Sequence, residues 1–309
     1  MSSNSMSLGP ITLRPIVQER IWGVQSLPPW YPQPAEGKLI GEVWLTAQEC
    51  IADSAAAKGS TLEELAKTHP QQFGGAEFPL LIKLLFPREK LSVQVHPNDA
   101  QAQQLGQPRG KTECWYVLDA EPGASVALGF NGPISNDEVR EAIVSNTLES
   151  KLQYVPVKPG EMVFVDANTV HAIGPGMTVL ETQQYSDVTY RLYDYGRPRE
   201  LHVDAGLAVT QTNTKAGLVP PVEMDGFTRL VSSDYFVVDR FTLDGSKAPL
   251  GKHGDLQILV ALHDGCFVEC SNGMATPLVP GRAVILPAED VDYTVRAAFA
   301  ATVIRIAQG

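Results

Sequence analysis

The chain has 309 residues, of which 44% are hydrophobic and 19% charged, as expected of a globular protein that buries a sizeable core in one or two domains. Its formal net charge of −11 argues against nucleic acid and against an anionic membrane as partners. An anionic small-molecule substrate would have to meet a local cluster of basic side chains within this acidic chain.

The first ten residues, MSSNSMSLGP, show neither the basic nor the apolar region of a secretory signal. The longest apolar run, PLLIKLLF at residues 79–86, is too short to span a bilayer and contains Lys83. No CxxC pair occurs among the four cysteines, and Cys266 and Cys270 have no histidine partner in their run CFVEC. We therefore expect no membrane association, a cytoplasmic location and buried free thiols.

Two helix starts stand out in a chain that otherwise has a β texture. Ser60 with Glu63, and Ser135 with Glu138, have the spacing of a capping box before TLEELAKTH and NDEVREAIVSN. Short apolar runs broken by Pro and Gly make up most of the rest, as in KLLFPREKLSVQVHP and LQYVPVKPGEMVFVDANTVHAI. This pattern favours a β-sandwich or barrel, with the two helices as insertions packed against it.

Three β-like segments carry side chains that suit a divalent metal. They are SVQVHPND at residues 92–99, GKTECWYVL at residues 110–118 and DANTVHAIG at residues 166–174. Alternation along a strand places Gln94 and His96 on one face, about 7 Å apart at their Cα atoms. Asp99, after the turn, is expected to orient His96 or to cap the following segment AQAQQL.

The same alternation places Lys111 and Glu113 on one face of the next strand, and His171 lies before a turn. A face with an amide, an imidazole, a carboxylate and an amine is costly to bury unless a ligand satisfies it. A lone strand histidine is more often a surface or hydrogen-bonded residue, but the combination favours a metal. The sequence therefore predicts one metal ion held by Gln94, His96, Glu113 and His171.

A Thr-, Gly- and Pro-rich connection, TNTKAGLVPP at residues 212–221, precedes a second stretch of β texture. There TPLVPGRAVILPA repeats the pattern of YVPVKPGEMVFVDA, in which a Pro-Gly turn joins two apolar strands. No histidine occupies the position equivalent to His171, and His253 and His263 lie in different surroundings. We predict a metal-binding unit with helical insertions at residues 1–215 and a degenerate second β unit without metal at residues 216–309.

The order Gln-x-His, Glu, Pro-Gly and His resembles that of the cupins, double-sheet jelly rolls with a metal inside a small barrel. More specifically, QVHPND, KTECWYVL and HAIGPGMTVLETQQYSDVTYRLYDYGR resemble the type I mannose-6-phosphate isomerases, as do IWGVQSLPPW and IGEVWLTA. The resemblance runs from about Ile21 to Arg305 and is loose in the C-terminal half. Because a large helical insertion between Glu113 and His171 is missing, the chain resembles the compact bacterial branch.

The resemblance implies a mainly β fold, with two cupin-like jelly-roll barrel units and a few helical insertions, and places catalysis in the first unit. It implies a metal-dependent aldose–ketose isomerase that interconverts two sugar phosphates, mannose 6-phosphate and fructose 6-phosphate, through an enediol. The implied site has one zinc per chain on Gln94, His96, Glu113 and His171, an active-site Lys111 and a catalytic Arg191. Nitrogen and oxygen donors without thiolate would also accept Mn, Co or Fe.

The sequence leaves several roles open. Arg191 could bring its planar guanidinium into the metal cavity to hold the enediolate; the alternative is a surface arginine paired with Asp187 or Asp194. Lys111 suits either a proton carrier or a phosphate contact, and the general base is a water on the metal, Lys111 or Asp187. Lys83 and Asp187 are further candidates for binding the substrate.

Two other functions remain as alternatives. An iron-dependent cupin oxygenase could use the same ligand types, but dioxygen activation has little need of the anion stabilisation that Lys111 and Arg191 would supply. A non-catalytic module that binds sugar phosphates is the second alternative. The sequence shows no helix-turn-helix pattern that would favour a DNA-binding regulator, and it does not fix the oligomeric state.

Overall fold

The computed structural model describes residues 7–54, 56–252, 255–271 and 273–309. Within these residues the chain forms 24 strands, four short α-helices and one turn of 3-10 helix. The strands pair antiparallel, and most of the large apolar side chains lie buried between the sheets. This confirms the predicted mainly β fold.

The strands are β1 (Ile11–Arg14), β2 (Ile16–Val24), β3 (Ile40–Trp44), β4 (Ile51–Ala52), β5 (Leu80–Leu85), β6 (Val93–Val95), β7 (Glu113–Ala120), β8 (Ser125–Phe130), β9 (Leu152–Pro156), β10 (Met162–Val165), β11 (His171–Ile173), β12 (Met177–Gln184), β13 (Tyr190–Tyr193), β14 (Gly217–Val219), β15 (Val222–Met224), β16 (Phe227–Ser232), β17 (Phe236–Leu243), β18 (Lys247–Lys252), β19 (Gln257–Ala261), β20 (Cys266–Cys270), β21 (Ala275–Leu278), β22 (Ala283–Leu286), β23 (Asp292–Ala297) and β24 (Ala301–Gln308). The helices are α1 (Leu62–Thr68), α2 (Asp99–Gln104), α3 (Asn136–Val144) and α4 (Val203–Val209), and the 3-10 turn spans Leu148–Lys151.

Two sheets form the first jelly-roll unit. A seven-stranded sheet has the order β14-β10-β7-β12-β5-β3-β2, and a five-stranded sheet has the order β13-β6-β11-β8-β9. Trp115 and Val179 of the first sheet pack with Val126 and Ile173 of the second in one buried cluster. Removing these side chains from water holds the two sheets together, as in other double-sheet barrels.

The other two sheets form a second β unit with its own core. An eight-stranded sheet has the order β15-β16-β17-β24-β19-β22-β1-β4, and a four-stranded sheet has the order β18-β23-β20-β21. Phe241 and Val284 of the larger sheet pack with Val268 and Val295 of the smaller one in a second buried cluster. The first unit differs in that it also buries the polar side chains of His96, Glu113 and His171.

Two strand pairings connect the halves of the chain. Ile11 of β1 lies opposite Ile285 of β22, so the first strand joins a sheet built mostly from the C-terminal third. Val219 of β14 lies opposite Met162 of β10 in the first unit. Each pairing lies within one β unit but adds to it a strand from the other half of the chain, and the division between residues 215 and 216 stays a prediction.

The helix α3 begins where the sequence predicts. The hydroxyl of Ser135 accepts the N–H of Glu138, and the Glu138 carboxylate accepts the N–H of Ser135. Its buried residues Val139, Ala142 and Ile143 pack against β-strand side chains of the first unit. The helix is therefore an insertion packed on the β core, as predicted.

The helix α1 begins one residue later than predicted. Its capping box consists of Thr61 and Glu64, so the predicted pair of Ser60 and Glu63 is wrong. The carbonyl of Ser60 accepts the N–H of Ala52 beside β4, at 2.9 Å. This contact keeps the chain extended up to Thr61, which takes the capping position in its place.

The sequence analysis did not single out α2. Asn98 is its N-cap and forms a capping box with Gln101, so the expectation that Asp99 caps this segment is wrong. Asp99 instead uses Oδ1 to accept the N–H of Gly110 at 2.7 Å, just before the strand that carries Glu113. The helix therefore ties the segment after β6 to the segment before β7.

Candidate active site

Three of the predicted metal ligands meet at strand ends. His96 directly follows β6, Glu113 begins β7 and His171 begins β11. One ligand atom from each of the three lies within 4.8 Å of the others. Because β6 and β11 are neighbours in one sheet and β7 belongs to the other, the cluster bridges the two sheets of the first unit.

Backbone carbonyls orient both imidazoles. Nδ1 of His96 lies 2.9 Å from the carbonyl oxygen of Val188, and Nδ1 of His171 lies 2.8 Å from that of Thr169. A carbonyl oxygen only accepts, so each Nδ1 carries the proton and each Nε2 keeps its lone pair. Burial, with the Lys111 ammonium beside it, lowers the pKa of His96 well below its ordinary value and keeps this imidazole neutral.

The Glu113 carboxylate faces these two nitrogens. Its Oε1 lies 3.3 Å from Nε2 of His171, and its Oε2 lies 3.7 Å from Nε2 of His96. Neither oxygen accepts a hydrogen bond from a residue in the described part of the chain. Burial raises the pKa of Glu113, but the Lys111 ammonium beside it outweighs burial and holds the pKa well below its usual range. The Lys111 ammonium, 3.1 Å from Oε2, compensates part of this buried negative charge, and a metal ion between the carboxylate and the imidazoles would compensate the rest.

These donors fit a divalent cation. Two imidazole nitrogens with lone pairs and one carboxylate face a common point, and nitrogen and oxygen donors of this kind bind Zn²⁺ and similar ions. Gln94 adds an amide whose Nε2 lies 3.3 Å from Nε2 of His171. A half-turn of that amide exchanges its nitrogen for its oxygen, which is the donor that a metal accepts. The site could therefore hold a metal.

Lys111 lies between the cluster and the space beside it. Its Nζ is 3.1 Å from Oε2 of Glu113 and 3.2 Å from Nε2 of His96, and the side chain is buried. Lys111 and Glu113 therefore point the same way, as strand alternation predicts. The ammonium places a positive charge directly beside two candidate ligands.

A cavity of 340 Å³ opens next to the cluster. Gln94 and Lys111 line it and also contact the cluster, and the other predicted site residues Lys83, Asp187 and Arg191 line the same cavity. The volume falls in the range of small-molecule pockets. The structure thus gathers five of the predicted side chains around one space, next to the cluster of His96, Glu113 and His171.

Arg191 lines this cavity and has one N–H donor without a hydrogen-bond partner among the described residues. Its Nη1 donates to the carbonyl of Glu200 at 2.8 Å, while its buried Nε has no hydrogen-bond partner among the described residues. Asp194, one of its alternative partners, instead pairs with Arg197 and Arg199 at 2.6 Å each. Burial, with Arg199 nearby, lowers the pKa of Arg191, but a guanidinium titrates so far above neutrality that it stays charged at neutral pH.

Known proteins match this chain along nearly its whole length. Residues 11–129 match the family model described as phosphomannose isomerase type I, catalytic domain. The chain is 36% identical over 253 residues to the mannose-6-phosphate isomerase of Streptococcus mutans, which covers 77% of this chain and 80% of that protein. It is 35% identical over 302 residues to the mannose-6-phosphate isomerase ManA of Bacillus subtilis, which covers 91% of this chain and 94% of that one. The chain belongs to the type I phosphomannose isomerase family.

Solved structures agree with this placement. The crystal structure of the mannose 6-phosphate isomerase from Bacillus subtilis matches this isomerase with a TM-score of 0.86 at 32% identity, over 96% of this chain and 99% of that one. A putative mannosephosphate isomerase from Archaeoglobus fulgidus shares the fold, with a TM-score of 0.79 at 18% identity over 99% of both chains. The predicted family, the cupin fold and the aldose–ketose isomerase activity are confirmed, and the oxygenase and binding-module alternatives are not favoured.

The cavity of the isomerase also has side chains that the sequence analysis missed. Arg20, Glu42, Glu181 and Arg199 line it together with the predicted residues. Glu181 lies opposite Lys83 in the ladder between β12 and β5. Strand register, which is not visible in local patterns, brings Arg20, Glu42 and Glu181 to the cavity, whereas Arg199 lies on the loop between β13 and α4.

Lys83 is a buried cation with protein partners of its own. Its Nζ lies 3.0 Å from Oε1 of Glu181 and donates to Oε1 of Gln183 at 2.6 Å. It also lies 5.5 Å from the centroid of the Trp44 ring. Burial lowers the pKa of Lys83, but Glu181 and Glu42 outweigh burial and raise it. Lys83 therefore stays charged at the cavity wall.

The four cysteines are buried and unpaired, as the sequence predicts. Cys266 and Cys270 lie in the core of the second unit. Within the described residues, the group of His, Cys, Asp or Glu side chains close enough to hold a metal is that of His96, Glu113 and His171. Of the two histidines in the second unit, His263 is exposed and His253 lies outside the described residues.

No helix in residues 7–54, 56–252, 255–271 and 273–309 is both long and apolar enough to cross a bilayer.

Proposed function

We propose that this isomerase interconverts mannose 6-phosphate and fructose 6-phosphate, with one divalent metal held by Gln94, His96, Glu113 and His171. One observation carries the proposal: a buried, ionised carboxylate and two imidazole nitrogens with lone pairs face a common point, beside a cavity that cations line. Relatives 35% and 36% identical to the chain bear the name mannose-6-phosphate isomerase, which supports this choice of sugar phosphate.

The donor set supports zinc as the metal, with Mn, Co or Fe as substitutes. When bound, such an ion supplies a Lewis acid for the carbonyl and hydroxyl oxygens of the sugar. Two neutral imidazoles, a neutral amide and one carboxylate would leave a net charge of about +1 with a divalent ion. That residual charge favours the oxyanion that forms during aldose–ketose isomerisation.

The isomerisation moves one proton between neighbouring carbons. From the aldose, a proton leaves carbon 2 and one arrives at carbon 1, while the hydroxyl proton passes from oxygen 2 to oxygen 1. Lys111 and Asp187 both line the cavity and are the candidates in this chain for carrying a proton. Lys111 also contacts Glu113 and His96. Because it joins these candidate ligands to the cavity, we assign it to the catalytic machinery.

Arg191 is the proposed partner of the enediolate. Its free Nε and its planar guanidinium suit two oxygens on adjacent carbons. A donor that is already in place when the negative charge develops stabilises the transition state more than the ground state. We therefore assign Arg191 a catalytic role and not only a binding role.

The chain has a net charge of −11 and would repel an anionic substrate unless the cavity attracts it locally. Its charged lining consists of five cationic side chains, Arg20, Lys83, Lys111, Arg191 and Arg199, against three acidic ones, Glu42, Glu181 and Asp187, and so has a surplus of positive charge. Such a group attracts an anion locally, because the distant acidic surface is screened within about 10 Å at 0.1 M salt. Lys83 and Asp187 are the proposed contacts to the substrate, with Asp187 exposed and suited to the sugar hydroxyls.

The domain boundary and the cellular location belong to the same proposal. The catalytic, metal-binding unit would span residues 1–215, since every residue assigned to the site lies there, and residues 216–309 would form a unit without metal. A cytoplasmic location is supported by four thiols that remain unpaired in the structure.

A substrate comparison tests the proposed reaction. Ketose formation, followed as fructose 6-phosphate from the sugar phosphates and as fructose from free mannose, should be rapid with mannose 6-phosphate and slower by at least about 100-fold with glucose 6-phosphate or free mannose. Free mannose is the control for the phosphate, because it keeps the reacting carbons and removes the anion. Faster turnover of glucose 6-phosphate, or equal turnover of free mannose, would overturn the substrate assignment.

A further inference from the structure

The turn at residues 166–169 lies beside the metal centre and contacts all three segments that carry its ligands. It precedes β11 and contains Asn168, which has a φ of +73° and is 3% exposed. Asparagine tolerates this left-handed backbone better than most residues, yet a buried one persists only where its surroundings hold it in place. The contacts of this turn identify those surroundings.

Asn168 contacts the backbone carbonyl of His96 with two donors. Its N–H donates to the carbonyl of His96 at 2.8 Å, and its side-chain Nδ2 lies 3.3 Å from the same oxygen. Nδ2 also donates to Oε1 of Gln101 at 2.7 Å, and Oδ1 accepts from Nδ2 of Asn98 at 3.3 Å. Asn98 and Gln101 are the capping box of α2, so one amide joins this helix start to the carbonyl of His96.

The neighbours of Asn168 reach the other two ligands. The carbonyl of Thr169 accepts the Nδ1 proton of His171 at 2.8 Å and so fixes that imidazole. The N–H of Ala167 donates to Oγ1 of Thr112 at 3.3 Å, one residue before Glu113. One short turn therefore sets the relative positions of three segments that come from two different sheets.

We propose that Asn168 is a positioning residue that preorganises the metal centre by fixing His96 and, through its turn, His171 and Glu113. The inference rests on the proposed metal site. Ligands must be held within about 0.5 Å of a productive geometry, and their supporting partners are what hold them. The side-chain amide of Asn168 is the part of this support that a single substitution can remove.

Cobalt binding tests this role separately from catalysis. Asn168→Gly keeps the left-handed backbone accessible and the N–H bond to His96, but it removes the amide contacts to His96, Gln101 and Asn98. The dissociation constant for Co²⁺, measured against a competing chelator, should rise at least about 10-fold, and the visible spectrum of the bound Co²⁺ should change. Thermal unfolding of the metal-free protein measures the structural contribution on its own.

Asn146→Gly is the matched control. Asn146 also has a positive φ, of +57°, but it is exposed after α3 and belongs to no contact of the metal centre described above. We expect this variant to keep the wild-type Co²⁺ affinity and spectrum. If Asn168→Gly lowers the melting temperature but keeps both wild-type Co²⁺ properties, the turn is merely structural and the positioning role is wrong. A wild-type protein that takes up no Co²⁺ would overturn the metal centre itself, a result distinct from the first.

Discussion

His171→Ala should abolish metal binding at stoichiometric concentration and reduce isomerase turnover by about 10³-fold, equivalent to about 4 kcal/mol of transition-state stabilisation. The substitution removes one of the two imidazole donors and leaves the Glu113 carboxylate with a single imidazole neighbour, that of His96 at 3.7 Å. It also removes the edge contact between the imidazole and the Trp115 ring, whose centroids lie 5.7 Å apart. Metal content and turnover should be measured on the same purified sample.

His263→Ala provides the control for this variant. His263 is exposed in the second unit and accepts the N–H of Thr302 at 3.1 Å. We expect it to bind metal and turn over substrate like the wild type. A His171→Ala protein that is folded, metal-free and still active near the wild-type rate would show that the chemistry does not depend on this centre.

Arg191→Ala should separate metal binding from catalysis. We expect full metal content and a kcat lower by about 10²–10³-fold, the usual effect of removing a preorganised donor to a developing oxyanion. KM should change less than kcat, because the lost interaction strengthens only as negative charge develops. Arg191→Lys should recover only part of the activity, since an ammonium keeps the charge but not the planar pair of donors.

Arg140→Ala is the control for loss of an arginine. Arg140 lies on α3 and pairs with Asp204 at 2.7 Å on the surface, away from the cavity residues. Exposed pairs of this kind contribute little, so its kinetics should match the wild type. Near-normal kcat in Arg191→Ala would show that this side chain is not part of the catalytic machinery.

Much of the ligand cluster could be predicted from sequence because strand alternation is local. Gln94 and His96 lie two residues apart, as do Lys111 and Glu113, so each pair shares a face whatever the rest of the chain does. That the three segments meet at one point was inferred from their combination of side chains and then from the resemblance to a known family, since no local pattern pairs residues 94 and 171. The structure shows this pairing directly, with Gln94 opposite His171.

The remaining cavity residues follow from non-local register. Glu181 reaches the cavity because β12 pairs with β5 and places it opposite Lys83. Glu42 lies on β3, which pairs with β5 in turn, opposite Leu85. Strand partners that are far apart in sequence cannot be read from periodicity, so these acidic residues could not be predicted.

The helix starts show when a capping pattern in the sequence predicts the first residue of a helix and when it does not. The box of Ser135 and Glu138 was predicted correctly because both residues are exposed and bond to each other. At α1, a ladder contact to Ser60 moved the start by one residue. The helix α4 begins at Val203 with no side-chain cap, and so it left no capping signal in the sequence.

The most direct test of a metal-dependent isomerase is a titration of metal into the chelator-treated protein, with bound metal and turnover of mannose 6-phosphate measured together. The account predicts negligible turnover without metal, a linear rise with added Zn²⁺ that ends at one ion per chain, and loss of activity when chelator is returned. Turnover at the full rate in protein with no bound metal would contradict it.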